Sequence, residues 1–152
     1  MATIQKGHAT WDFIKVGDTL PAMHKAETQE HIDNYTKLNA HPASTGGIPG
    51  FNLHSDADTA QGGIFKGTVN YGVVTFAFLT ELLQSTFSTK AVTRGSMSMR
   101  AVEPIRPLDV VTYSGVVTGK REEGGKRFVD LELHGMNQMK QQVANAKASV
   151  VL

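Results

Sequence analysis

The run GTVNYGVVTFAFLTELLQSTF, residues 67–87, decides the fold. Val69, Val73, Val74, Phe76, Ala77, Phe78, Leu79, Leu82 and Leu83 cover most of a helix's circumference. This predicts a helix from about Gly67 to Phe87 that is surrounded by protein rather than laid on a surface. Such a helix needs something to wrap it, and everything after residue 90 reads as strands. Val111, Tyr113, Gly115 and Val117 alternate with Val110, Thr112, Ser114 and Val116. Val129, Leu131 and Leu133 alternate with Asp130, Glu132 and His134, and Ala144, Ala146, Ala148, Val150 and Leu152 with Asn145, Lys147 and Ser149. Turn signals separate the runs: Pro104-Ile105-Arg106-Pro107, Glu122-Glu123-Gly124-Gly125, and the polar stretch Asn137 to Gln142. The expected class is α+β, a curved antiparallel sheet around one central helix, with the small alanines of the last strand admitting a close neighbour.

Upstream, Trp11 to Asp18 reads as an arm ending in a turn, and Thr19 to Ala26 as a short strand. Thr28 is the predicted N-cap of a helix over Gln29 to Asn39, with Ile32, Tyr35 and Leu38 on one face and Glu30 in the first turn, where the dipole favours it. The Gly- and Pro-dense stretch from Ala40 to Phe51 forbids regular structure and reads as a long loop of the kind that often carries function. A short turn follows through Ser55 to Ala60.

The chain has 152 residues, 40% hydrophobic and 19% charged, with no linker, repeat or long charge run, so residues 1–152 are expected to form a single domain. Fifteen basic against fourteen acidic side chains give a net charge of +1, too balanced for a nucleic-acid partner. The absence of cysteine excludes disulfides, Cys-based metal sites and thiol nucleophiles, and suits the cytoplasm. The first eight residues lack the apolar segment of a signal peptide, and no stretch approaches the roughly 18 apolar residues of a membrane span. A soluble protein without a membrane partner is expected.

In element order and in several residues the chain resembles the MaoC-like family of hot-dog-fold proteins, which includes (R)-specific enoyl-CoA hydratases and 3-hydroxyacyl dehydratases. The resemblance spans nearly the whole chain. It rests on Phe13-x-x-x-Gly17-Asp18, Tyr35-x-x-Leu38, Leu53-His54-x-Asp56-x-x-x-Ala60, Gly62-Gly63, a Gly67 opening the central helix, Arg106-Pro107-Leu108-Asp109, and the hairpin Lys120 to Gly125. It implies the hot-dog fold, an acyl thioester of coenzyme A or acyl carrier protein as substrate, and a homodimer or higher homo-oligomer whose sheets join into one. It implies neither a cofactor nor a metal. The family's signature Asp-x-Asn-Pro-(Ile or Leu)-His is kept only at its end: His54 matches the histidine, Asn52 stands at the proline position, and Pro49 at the aspartate position. Counted from the upstream helix, the aspartate position falls on His41. The frequent Ala-His-Gly before the central helix becomes Phe65-Lys66-Gly67.

Hydrating an enoyl thioester requires a group that takes a proton from water, one that delivers a proton to the α-carbon, and donors for the developing enolate oxygen. His54 is the expected base or water-holder, since imidazole titrates near neutral pH; the alternative is a loop histidine that packs. Gly67, at the predicted helix start, offers its N–H to the thioester oxygen, unless the glycine serves only a tight turn. Asp56 either orients His54 and replaces the lost acid or, the favoured reading, caps a short helix. His41 and Asn52 are the remaining candidates to hold the water.

Other chemistry is poorly supported. His54-x-Asp56-x-Asp58 has no further metal-spaced cluster beside it, Gly62 to Thr68 has phosphate-loop composition in the wrong order, and no Gly-x-Ser-x-Gly elbow exists. Lys66, Arg94, Arg100 and Arg106 either meet coenzyme A phosphates or are solvated, and Met97 and Met99 read as core or subunit interface. The expected function is therefore a hydro-lyase acting on a 2-enoyl or 3-hydroxyacyl thioester. Two alternatives stay open: a hot-dog thioesterase, loosely suggested by Gln61-Gly62-Gly63, and a non-catalytic acyl-thioester binder or structural half of a heteromer.

Overall fold

A computed structural model describes residues 1–7, 9–38 and 52–152. The expected loop from Ala40 to Phe51, with His41 and Pro49, lies outside them. Four strands of the C-terminal half are β2 (Ser96–Ala101), β3 (Val110–Glu123), β4 (Lys126–Met136) and β5 (Gln142–Val151), and β1 (Met23–Ala26) precedes them. They form one sheet in the order β1-β3-β4-β5-β2, every neighbouring pair antiparallel. The period-2 pattern places Val111, Tyr113, Val117, Val129, Leu131, Leu133, Ala146, Ala148 and Val150 on the buried face. Register shifts after Val117 and after Gly135 interrupt the long ladders, the kind of irregularity that bends a sheet. Gly124 and Gly125 turn β3 into β4 with φ of 57° and 73°, the left-handed pair that a two-residue hairpin requires.

Among the described residues there are also four helices: α1 (Gln29–Leu38), α2 (Ala57–Gly62), α3 (Gly72–Thr86) and α4 (Thr89–Thr93). The Thr28 hydroxyl accepts from the His31 N–H at 3.1 Å, the expected cap of α1. Leu79, Leu82 and Leu83 of α3 are fully buried against the sheet, each contributing about 1.5–3 kcal/mol.

Four sequence expectations need correction. The central helix begins at Gly72, not Gly67, because the chain before it is tied elsewhere: the Asn70 N–H donates to the Ile105 carbonyl at 2.8 Å, and Tyr71 is extended at φ −71° and ψ 135°. Nor is α3 covered all round, since Val73 is 55% and Phe76 39% exposed. Regular pairing of the first strand is confined to Met23–Ala26, Thr19 making only single bridges to Thr3 and Val116. Finally, α4 interrupts the region read as strands; Ser88 caps it by accepting from the Ala91 N–H at 3.1 Å. α4 packs against β5, where the alanines leave room, and a Cβ on Gly95 would stand 2.0 Å from the Ser149 carbonyl oxygen.

The arm before β1 is latched down rather than loose. The Asp18 carboxylate accepts from the N–H groups of Ala2 and Lys15, both at 2.9 Å, and Lys120 reaches over the Trp11 ring to the Ile14 carbonyl at 2.8 Å. Among the described residues no helix is long and apolar enough to cross a membrane.

Candidate active site

His54 sits half-buried on the turn that leads into α2, and four contacts fix it. The Asn52 side-chain oxygen accepts from the His54 N–H at 2.7 Å, and the Gln29 amide on α1 donates to the His54 carbonyl at 2.9 Å. The imidazole Nδ1 lies 2.7 Å from the Val69 carbonyl oxygen. Because a carbonyl only accepts, Nδ1 carries the proton, and Nε2 of the neutral ring is left as the acceptor. The fourth contact is Tyr71, the residue before α3, whose ring stacks on the imidazole with centroids 3.6 Å apart and planes at 24°.

Tyr71 is itself held by hydroxyls. The Thr36 hydroxyl donates to the Ile32 carbonyl one helical turn back at 3.0 Å, so its single hydrogen is used. The Tyr71 and Ser55 hydroxyls, 2.8 and 2.7 Å from it, must therefore donate to Thr36. The Tyr71 oxygen then accepts from the Asn52 amide at 3.2 Å. Gln29 closes the network, accepting from the Thr68 hydroxyl at 2.6 Å while its amide also donates to Asp33 at 2.8 Å. α1, the 52–55 turn and the 68–71 segment are thus one hydrogen-bonded unit around the imidazole.

His54 lines a cleft of about 340 Å³ with Val69, Asn70, Gly72 and Thr75 on one wall, Ile105 and Val143 on another, and Glu103 exposed among the lining residues. The size suits a small-molecule site, with apolar walls and a few convergent polar groups. Gly72 is the first residue of the fifteen-residue α3, so its N–H has no acceptor within the helix and lies at the positive end of the dipole. The cleft is therefore lined both by the histidine whose Nε2 is the ring acceptor and by the residue that opens α3. A larger groove of about 420 Å³ on the polar face of β2, β4 and β5 includes His134, but its Nδ1 faces the Gln142 amide at 3.1 Å and no helix start lines it.

The sequence candidates separate accordingly. Asn52 is beside His54, but as the acceptor that shapes its turn. Asp56 is the N-cap of α2, accepting from the Thr59 N–H at 2.9 Å, as favoured above. Gly67 needs correction: its N–H donates to the Ala60 carbonyl at 3.1 Å, and the residue sits in a turn at φ 150°, five residues before α3. Gly72, not Gly67, is the residue that opens α3. His41 lies outside the described residues. The guanidinium of Arg106 donates to the Phe65 carbonyl and braces that turn, and Gly63 caps the end of α2 through the Thr59 and Ala60 carbonyls. Among the described residues, no carboxylate hydrogen-bonds the His54 ring and no cluster of three potential metal ligands occurs.

No protein-family model and no curated protein sequence matches this chain. Solved structures do. A MaoC-like dehydratase from Rhodospirillum rubrum superposes with a TM-score of 0.73 at 19% identity, covering 93% of this chain and 94% of that one. The (R)-hydratase from A. caviae involved in PHA biosynthesis gives 0.71 at 19% identity, over 93% of this chain and 99% of the other. The ChsH1-ChsH2 complex from Mycobacterium tuberculosis gives 0.67 at 19% identity, over 92% and 99%. The chain has the hot-dog fold of these MaoC-like dehydratases and (R)-hydratases.

Proposed function

We propose that the chain is a MaoC-like hydro-lyase, formed by one domain over residues 1–152, that adds water to a 2-enoyl thioester or removes it from a 3-hydroxyacyl thioester. The observation that carries this reading is the sharing of one cleft by His54, its Nε2 left as acceptor, and the Gly72 N–H at the start of α3. In the hydration direction Nε2 takes a proton from water while the water oxygen bonds to the β-carbon. The electron pair of the double bond moves onto the thioester oxygen, which the Gly72 N–H stabilises. The resulting enolate collapses to the thioester as the α-carbon takes up a proton. The imidazolium can return the proton it received, so one ring supplies both transfers and the balance closes without the signature aspartate.

The test is hydration of crotonyl-CoA or a longer 2-enoyl-CoA, followed as loss of the conjugated thioester absorbance. Release of free thiol instead would replace this reading with a thioesterase. A second reading has its own observation, the absence of aspartate at the signature position combined with structural likeness to a chain of a two-protein complex. Under it the chain is the acyl-binding half of a heteromer, silent alone in both assays and active when a second hot-dog chain co-purifies. The carrier, coenzyme A or acyl carrier protein, is read by comparing the two forms of one acyl group.

A cytoplasmic homodimer is the proposed form of the protein. Val73 and Phe76 leave apolar surface exposed on α3, and β2 is an edge strand with one side unpaired among the described residues. A second copy covers both by a two-fold pairing. Light scattering is expected to give twice the chain mass, and Phe76→Glu to shift it to the monomer at micromolar concentration; a wild-type monomer contradicts this.

A further inference from the structure

Glu27 lies between β1 and α1 and is 6% exposed, one of few buried charged side chains in the described protein. Among the described residues no lysine or arginine pairs with it. His31, one helical turn along α1 and largely exposed, comes to 3.8 Å, and the Thr28 N–H donates to the first carboxyl oxygen at 3.3 Å. The backbone fixes the residue from both sides, its N–H donating to the Asp109 carbonyl at 2.8 Å and its carbonyl accepting from the Leu108 N–H at 2.9 Å. Burying a carboxyl so sparsely paired opposes folding, and such local violations concentrate at functional sites.

The second carboxyl oxygen accepts from the Asn70 amide nitrogen. Asn70 lines the His54 cleft, and its side-chain oxygen accepts from the Tyr71 N–H at 2.7 Å. Beyond this bridge lie two more buried polar groups: Thr75, which also lines the cleft, and Tyr113 of β3, whose hydroxyl is influenced by Thr75 but meets the geometric criteria of a hydrogen bond with no group among the described residues. Burial pushes the Tyr113 phenol up, with the charge of Glu27 adding to the effect.

We propose that Glu27 is a positioning residue of this site, its carboxylate holding the Asn70 amide so that Asn70 fixes Tyr71 and aims the Gly72 N–H into the cleft opposite His54. This rests on the hydro-lyase reading for its consequence in catalysis, though not for the coupling itself. The physical reason is the asymmetry of an amide. A carboxylate only accepts, so it forces the Asn70 nitrogen toward Glu27 and leaves the Asn70 oxygen for Tyr71. A glutamine or a protonated carboxyl also donates, which permits the flipped amide and breaks the bond to Tyr71. Tyr71 stacks on His54 and Gly72 follows it, so one flip disturbs both halves of the site.

Burial also raises the pKa of the Glu27 carboxyl above its ordinary value of 4.5. In the window from 4.5 up to that raised value the folded chain holds a proton the unfolded chain has lost, so this group's contribution to stability falls as pH rises and stays low above the window. Glu27→Gln is therefore expected to melt at or above the wild-type temperature at pH 8 and to show no gain at pH 4.

The experiment uses Glu27→Gln, Asn70→Ala and the double variant, with amide NMR and crotonyl-CoA kinetics. In wild type the Tyr71 and Gly72 amide resonances are expected to titrate with the Glu27 carboxyl carbon, above the ordinary carboxylate range, and to lose that titration in Glu27→Gln; the His31 ring resonances separate its titration. Each single variant is expected to lower kcat about tenfold or more with KM changed less than about twofold, the double variant being no worse than Asn70→Ala. Gly72 resonances indifferent to Glu27, or a wild-type kcat in Glu27→Gln, would each overturn the proposal. A wild type that hydrates no enoyl thioester overturns the hydro-lyase reading instead, and the amide titration then decides Glu27 alone.

Discussion

Replacing His54 by alanine is expected to lower enoyl-thioester hydration by about 10²–10⁴-fold, the usual worth of a positioned acid–base group. The loss should appear in kcat and kcat/KM alike, because the imidazole acts on water and not on the carrier that dominates binding. A stability change accompanies it and must be separated. The variant gives up the bond to the Val69 carbonyl and the stack on Tyr71, together about 1–3 kcal/mol. Tyr71→Phe is the companion measurement, since it keeps the stack but removes the hydroxyl bonded to Thr36 and Asn52. If the imidazole performs the proton transfers, Tyr71→Phe retains most of the turnover that His54→Ala loses. Equal losses in the two variants would mean that the network as a whole, not the ring nitrogen, carries the activity. Unchanged hydration in a folded His54→Ala would end the assignment of that residue.

The parts of this fold that were legible in the sequence are those whose causes are local. β3, β4 and β5 follow from strict alternation, and the β3–β4 turn from two adjacent glycines. α1 follows from a threonine cap and a 3.6-residue period. The start of α3 was not legible, because Val69 stands four residues before Val73 and so continues the helical stripe on paper. A contact distant in sequence ends the helix there instead: the Asn70 N–H is taken by Ile105, 35 residues later. The one available signal was the pair Tyr71-Gly72 directly before an unbroken apolar run. α4 escaped because five residues are too few to show a period, although Ser88 followed three residues later by Ala91 leaves its cap in view.

The site was legible to a similar extent, and for a similar reason. His54 stood out through its resemblance to a signature histidine, but the atom that sets its tautomer is a backbone carbonyl, which any residue at position 69 would supply. Glu27 stands i,i+4 from His31, the spacing of a solvated helix pair, and nothing in that spacing shows that its backbone is held by Leu108 and Asp109 and its carboxyl buried. Side-chain chemistry is written in the sequence. Which side chains lose water, and which backbone groups face them, depends on the tertiary arrangement.

Proline at position 72 separates the fold from the chemistry more cleanly than any side-chain deletion. Gly72 is the first residue of α3, a helical position where a missing N–H costs the helix nothing and a fixed φ near −65° is already suitable. The residue before a proline must be extended, and Tyr71 already is, at φ −71° and ψ 135°. A Cβ at position 72 meets no atom within 4 Å. Gly72→Pro is therefore expected to fold with its melting temperature unchanged or raised, by up to about 1 kcal/mol in stability through a more restricted unfolded chain. The hydration rate is expected to fall about 10²–10³-fold, the usual cost of removing one donor to a developing oxyanion. Gly72→Ala keeps the N–H and supplies the control, retaining most of the rate if the donor, not the absence of a side chain, is what catalysis uses. A proline variant with wild-type turnover would show that the thioester oxygen is held elsewhere, and the N–H of Val73, the next at the same helix end, becomes the donor to test by the same logic. A proline variant that loses activity while melting as the wild type does would place the missing stabilisation in one N–H bond.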